Sequence, residues 1–343
     1  MRTPRLDAIR PTRRAILAAM GGALAGTATA AFAPRAFAAG EIRIEHAFGE
    51  AVLPGPATRV VSLGYTTHDT LLALDVVPLA TRQWFGDEPF GVWPWAREKL
   101  GDAQPPVISG EVAIETVASL QPDLIVGIGS GISEAEYAIL SQIAPTVMHA
   151  RGAPVYGTPW DEVTRVLARA TGKDAMAEEL IAQTEAQFEA ARERHPDWAG
   201  QTAVAAYHFA GETGAFTSND GRGRFLAELG FRPSETIDTL GADTFYAALS
   251  PEDLSPLDVD LLVWISSFDA APDLVALPMR RTLAAHTQGR EVFAGEVTAA
   301  ALSFGSILSL PYALTQLEGD IAAALDGDPA TPVASAVEAG IAP

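Results

Sequence analysis

Apolar runs of strand length recur along the chain, each flanked by a segment with helical period. "RVVSLG", "VVPLAT" and "DLIVGI" lie in the first half, and "TAVAAYHF", "DLLVWI" and "EVFAG" in the second. None shows the apolar–polar alternation of a half-exposed strand. Strands that are apolar on both faces belong in parallel sheets covered by helices, so the pattern predicts an α/β architecture.

Internal repetition sharpens this expectation. Residues 115–128, "ETVASLQPDLIVGI", align without a gap to residues 252–265, "EDLSPLDVDLLVWI". Each copy reads as a short helix opening with an acid, then a turn, then a buried strand. Two related α/β lobes with central, mostly parallel sheets follow. Between the lobes, residues 160–196 carry Met176, Leu180, Thr184 and Phe188 at four-residue spacing, with Ile181 alongside. Asp161 is placed to cap the start and His195-Pro196 to mark the stop, which predicts a single long interlobe helix. No Gly/Ser-rich linker is present, so large free hinge motion is not implied. The predicted organisation is a leader over 1–38, an N-terminal lobe over 39–159, the helix over 160–196, a C-terminal lobe over 197–326 and a loosely ordered tail over 327–343.

The leader combines Arg2, Arg5, Arg10, Arg13, Arg14 and Arg35 with an Ala/Gly-diluted apolar run and small residues at Ala36 and Ala38. That is the layout of an export signal with removal after Ala38, and "TRRAIL" resembles the twin-arginine motif. The chain has no cysteine. Disulfides, thiolate metal sites, a cysteine nucleophile and a lipid-modified cysteine are therefore excluded, and the expectation is an exported protein, soluble beyond the inner membrane and not a lipoprotein. The formal charge of -20 disfavours nucleic acid or an anionic membrane surface as the main partner. Beyond Ala38 it becomes -25, from 17 basic against 42 acidic residues.

Candidate chemistry concentrates at predicted strand ends, where α/β sheets bind ligands. The tip "GYTTHD" offers Tyr65, Thr66, His68 and Asp69. His68 with Asp69 could form a base and its orienting carboxylate, as in an exported hydrolase. No G-x-S-x-G or other nucleophile motif accompanies them, and Asp69 is equally a first-turn acid facing a helix dipole, so binding or capping is the favoured reading. Gly127, Gly129 and Gly131 follow a strand as G-x-G-x-G, which is not the dinucleotide spacing. The six histidines include no i, i+4 pair. His68, His149 and His208 near strand ends are weak candidates for direct zinc or manganese binding. The denser signal is aromatic. Trp84, Phe85, Phe90, Trp93 and Trp95 crowd a loop after Arg82, as expected of a binding wall. Arg151, Arg222 and Arg224 add planar cationic forks suited to carboxylate or catecholate oxygens.

With these residues, "PATRVVSLGYTTHDTLLALDVVPLA", "WPWAREKLGDAQPPVISGEVAIETVASLQPDLIVG", "GAFTSNDGRGRFLAELGF" and "LSLPYALTQLEGDIAAAL" resemble the iron-siderophore and vitamin B12 substrate-binding proteins of ABC importers. In that class one rigid helix joins two lobes with the ligand cleft between them, and the resemblance runs from about residue 41 to 326. It implies a periplasmic monomer without catalysis or an intrinsic cofactor, which captures a ferric siderophore and delivers it to an inner-membrane permease. It places ligand contacts at Tyr65, Thr66, Arg82, Trp84, Trp93, Arg151, Phe209 and Tyr246, to which Arg222 is added from the arginine pattern. Permease docking falls on Glu115 and Glu252, the acids that the repeat sets in register. Cobalamin or haem is the alternative within the family, with Tyr65 or His68 as a haem ligand.

Overall fold

Short two-sided apolar strands need helices on both faces, and the chain supplies them by alternating the two. A computed structural model describes residues 40–242, 244–265 and 271–343; the predicted leader lies outside them. In the N-terminal lobe, β3 (Val60–Ser62), β6 (Leu124–Val126) and β7 (Thr146–Val147) form a parallel sheet in the order β3-β6-β7. A bridge from Val61 to Ala80 extends it toward the parallel pair β4 (Thr81–Arg82) and β5 (Val107–Ile108). Helices α1 (Thr67–Ala73), α2 (Ile114–Ser119) and α3 (Glu134–Leu140) lie in the crossovers. α3 opens with a capping box between Ser133 and Glu136, which satisfies its first amides. An antiparallel hairpin, β1 (Ile42–His46) and β2 (Gly49–Leu53), precedes the sheet.

The C-terminal lobe holds one five-stranded sheet. β8 (Ala203–Phe209), β11 (Leu261–Trp264) and β12 (Glu291–Phe293) run parallel, and β9 (Glu212–Phe216) and β10 (Tyr246–Leu249) add antiparallel on the outside of β8. The repeat falls where symmetry requires: β6 and β11 each occupy the middle of a parallel trio. The elements before them differ. The first copy is the helix α2, whereas the second is a single 3₁₀ turn, Ser255–Leu257. Pro256 stands in the first positions of that turn, where its missing N–H is tolerated, but its ring disfavours a helical residue before it and so works against a longer helix upstream.

Two expectations are corrected. Residues 160–196 are not one helix but α4 (Trp160–Thr171) and α5 (Asp174–Arg194). Gly172 ends α4 in the left-handed conformation at φ 70°, and the Lys173 amide turns back to the Ala168 carbonyl at 2.8 Å. α5 alone joins the lobes, about 30 Å long by its 21 residues. Ala177 packs in the N-terminal core, Ile181 against Ala73 and Ile307 at the seam, and Phe188 and Ala191 in the C-terminal core.

The tail over 327–343 is tied down rather than loose. Val333, Ala336 and Ile341 are buried around α9 (Ala334–Glu338), and the Ile341 carbonyl accepts from buried Arg280 at 2.9 Å. Arg280 also meets Glu291 at 2.6 Å, and Glu291 accepts from Trp264 Nε1 at 2.8 Å. Three apolar anchors without a regular period escaped the composition argument.

Candidate functional site

The turn after β3 is built to present side chains to the cleft. The amides of Leu63 and Gly64 both donate to the Val126 carbonyl. A Cβ at Gly64 would stand 2.1 Å from the Ile128 carbonyl oxygen, so only glycine lets the turn pass so close to β6. Ser62 and Thr67 hydroxyls bond at 2.7 Å across the turn. Tyr65 and Thr66 thereby face a cavity of about 410 Å³ at the lobe junction.

Trp84 stacks on Tyr65 with centroids 5.8 Å apart and extends the aromatic wall. The facing wall is the start of α6 (Gly221–Glu228). Asp220 caps this helix by accepting from the Arg222 amide at 2.8 Å, and its two oxygens hold the Arg222 guanidinium at 2.8 and 3.2 Å. That guanidinium lies 3.6 Å over the Phe216 ring. Arg224 reaches the Gly157 carbonyl at 3.3 Å. One helical turn further, Glu228 accepts from Trp160 Nε1 at 3.1 Å. Burial pushes the Glu228 carboxyl above the ordinary range, against the pull of that bond and of Arg224. Phe304, at the end of α7 (Gly295–Phe304), and Ser306, in the turn to α8 (Ser309–Ala324), also contribute.

Of the expected ligand contacts, the structure brings Tyr65, Thr66, Trp84 and Arg222 together in this lining, with Arg224 beside them. The other five stand outside it. Arg82 is buried behind Tyr65, 4.5 Å from its ring, and donates to the Ser130 and Gly110 carbonyls at 2.8 and 2.9 Å. It braces the wall from the rear, where loop carbonyls need a donor. Trp93 is also buried, stacked on Trp95 with centroids 5.4 Å apart and edge-on to Phe304. Arg151 is exposed on the segment that precedes α4. Phe209 is exposed at the end of β8, and Tyr246 opens β10, leaving its neighbour Phe245 in the lining instead. Asp220, Glu228, Trp160, Phe245 and Phe304 were missed by sequence reasoning. Asp220 before a helix was the one readable signal, as an N-cap.

His68 and Asp69 are fully buried and do not reach the cavity. Asp69 Oδ2 accepts from Trp95 Nε1 at 2.7 Å and from Ser306 Oγ at 2.6 Å, a link from the N-terminal lobe to the α7–α8 turn. His68 lies 3.6 Å from the other carboxylate oxygen and edge-on to Phe304. The pair forms a structural seam, closed off from the cavity lining. The three metal candidates are scattered. His149 packs near Phe48, and His208 bonds Thr213 at 2.8 Å. Among the described residues, no group of three or more His, Asp or Glu is placed to hold a metal ion.

Two α/β lobes joined by one helix, with an aromatic cavity at their junction, define a solute-binding protein. The chain matches the periplasmic binding protein family model over residues 60–290, and it belongs to that family. A periplasmic solute binding protein from Mycobacterium smegmatis is 35% identical with a TM-score of 0.77, covering 84% of this chain and 100% of that one. PiaA from Streptococcus pneumoniae, solved with ferrichrome, shares the fold at a TM-score of 0.71 and 24% identity, covering 84% of this chain and 99% of that one. The probable siderophore-binding lipoprotein YfiY of Bacillus subtilis is 26% identical over 232 residues, 65% of this chain and 68% of its own length. The ferric enterobactin-binding periplasmic protein FepB of Escherichia coli is 28% identical over 195 residues, 53% of this chain and 59% of its own.

Proposed function

We propose that this protein captures a ferric siderophore in the interlobe cavity and delivers it unchanged to an ABC importer permease in the inner membrane. The cavity carries the reading: a pocket of about 410 Å³ walled by Tyr65, Trp84, Trp160 and Phe245, with hydroxyls and two arginine forks among them. Such a lining supports an oxygen-rich chelate with apolar arms, while iron arrives already enclosed and needs no protein ligand. Names of the relatives point the same way. Haem is less well supported, since His68 is sealed away and only Tyr65 would remain as an axial ligand.

Glu115 on α2 and Glu252 before the Ser255–Leu257 turn are both exposed, at matching positions ahead of β6 and β11. They are our docking sites for permease arginines, one on each lobe. The leader over 1–38 fits export to the periplasm with removal after Ala38.

Trp84 and Trp160 make the test direct. Titration with a panel of ferric chelates should quench tryptophan fluorescence saturably for at least one member, and mass analysis of the recovered chelate should find it unaltered. Absence of saturable quenching across hydroxamate, catecholate and citrate-type chelates, or recovery of a cleaved product, overturns the reading.

A further inference from the structure

The charges around the cavity cancel. Among the described residues, the charged side chains of its lining are Asp220, Arg222, Arg224 and Glu228, two of each sign. Each arginine has a carboxylate on the same helical segment, Asp220 for Arg222 and Glu228 for Arg224. Arg222 is gripped at two points by Asp220 and covered on one face by Phe216. Arg224 lies one turn before Glu228 on the same helix, and the two attract. Behind the opposite wall, Arg82 is buried and committed to the Ser130 and Gly110 carbonyls. The remaining polar lining consists of neutral hydroxyls, including Thr66, Thr158 and Ser303.

Resting on the siderophore reading above, we infer that the cavity selects a ferric complex of no net charge, of the trihydroxamate kind, over a trianionic tricatecholate. Three hydroxamates, each losing one proton, cancel the charge of ferric iron. Three catecholates, each losing two, leave a threefold negative complex. An anion of that charge would enter a site whose two cations are already matched by two carboxylates, and uncompensated charge in a partly dry cavity is costly. The excess of 42 acidic over 17 basic residues beyond Ala38 would also repel it on approach. A neutral complex meets neither penalty. Its arms pack on Tyr65 and Trp84, and its outward carbonyl and hydroxamate oxygens accept from threonine hydroxyls and from the free edges of the paired arginines.

The test uses the mature protein and two probes, ferrichrome as the neutral trihydroxamate and ferric enterobactin as the trianionic tricatecholate. Fluorescence titration should show ferrichrome bound at least about tenfold more tightly, since one unbalanced unit charge at cavity distances is worth that much. Its affinity should stay level from about 0.05 to 0.5 M NaCl, a range that screens exposed charges strongly. Glu228→Gln keeps an acceptor for Trp160 while giving the lining a net positive charge. It should raise enterobactin affinity relative to ferrichrome by about tenfold at low salt, and the ratio measured on one variant is insensitive to general damage. Tighter, salt-sensitive binding of ferric enterobactin by the native protein, or an unchanged ratio in Glu228→Gln, overturns the charge selection and leaves siderophore capture standing. Binding of neither probe, nor of any other ferric chelate, overturns both.

Discussion

Asp69 is a buried polar group that ties the N-terminal lobe to the α7–α8 turn, and its removal can be weighed from its bonds. One carboxylate oxygen accepts from Trp95 Nε1 at 2.7 Å and from Ser306 Oγ at 2.6 Å, with Asp69 and Ser306 buried and Trp95 half-buried. Asp69→Ala leaves the indole N–H and the hydroxyl without their acceptor. Unmade buried donors cost about 1–3 kcal/mol each, and breaking a buried charged contact costs about 3–5 kcal/mol. We expect a loss of about 3–5 kcal/mol in urea unfolding. Asp69→Asn keeps an acceptor oxygen for both donors and turns its amide toward His68, so it should cost under about 1 kcal/mol. The pH dependence separates charge from hydrogen bonding. Burial raises the Asp69 carboxyl above its ordinary value of 3.8, despite His68, Ser306 and Trp95 pulling it down. A carboxyl that binds its proton more tightly when folded adds stability below 3.8 that is lost as pH rises through the folded pKa. The native protein should therefore lose stability relative to Asp69→Asn as pH is raised from about 4. An alanine variant within about 1 kcal/mol of the native protein, or an asparagine variant as damaged as alanine, refutes the seam argument.

Trp84→Ala should weaken chelate binding about 10- to 100-fold in fluorescence titration read from the remaining tryptophans, because it removes an exposed ring stacked on Tyr65 rather than a core residue. Its thermal midpoint should barely move. Reversing charge at the lobe tips, Glu115→Arg with Glu252→Arg, should abolish iron uptake in cells while leaving chelate affinity unchanged in vitro; lost affinity would show that the two glutamates do not act in docking. Deleting residues 333–343 removes buried Val333 and Ile341 and an acceptor of Arg280. Calorimetry should register a loss of at least about 3 kcal/mol, from about 1.5–3 kcal/mol for each large apolar side chain. An unchanged midpoint would mean that the tail adds nothing to the fold.

What was legible in the sequence is what short stretches decide by themselves. A strand covered on both faces must be apolar throughout, so β6 and β11 could be recognised from their own residues, and their matching placement followed from the repeat. Tyr65, Thr66 and Trp84 were accessible because a strand's carboxyl end is local information. The break at Gly172 was also local. A glycine followed by a lysine, where the N-terminal lobe's helix meets Pro56, is a helix stop, but the stripe through Phe188 outweighed it.

The C-terminal wall was hidden because its meaning lies in distant pairings. Glu228 reads as a solvated helix acid until Trp160, 68 residues earlier, delivers an indole N–H to it. Arg82 shows the converse. Its chemistry suits an anionic ligand, yet strand ends leave carbonyls at Gly110 and Ser130 that need a donor, and the planar fork meets both. No side-chain pattern announces an unpaired carbonyl, so arginine type alone could not separate a ligand contact from a brace. The same ambiguity bears on charge. Counted in sequence, Arg82, Arg151, Arg222 and Arg224 suggest a cationic cleft. Placed in the fold, two leave the lining and two remain there alongside an equal number of carboxylates, and the site changes from a cationic cleft to one without net charge.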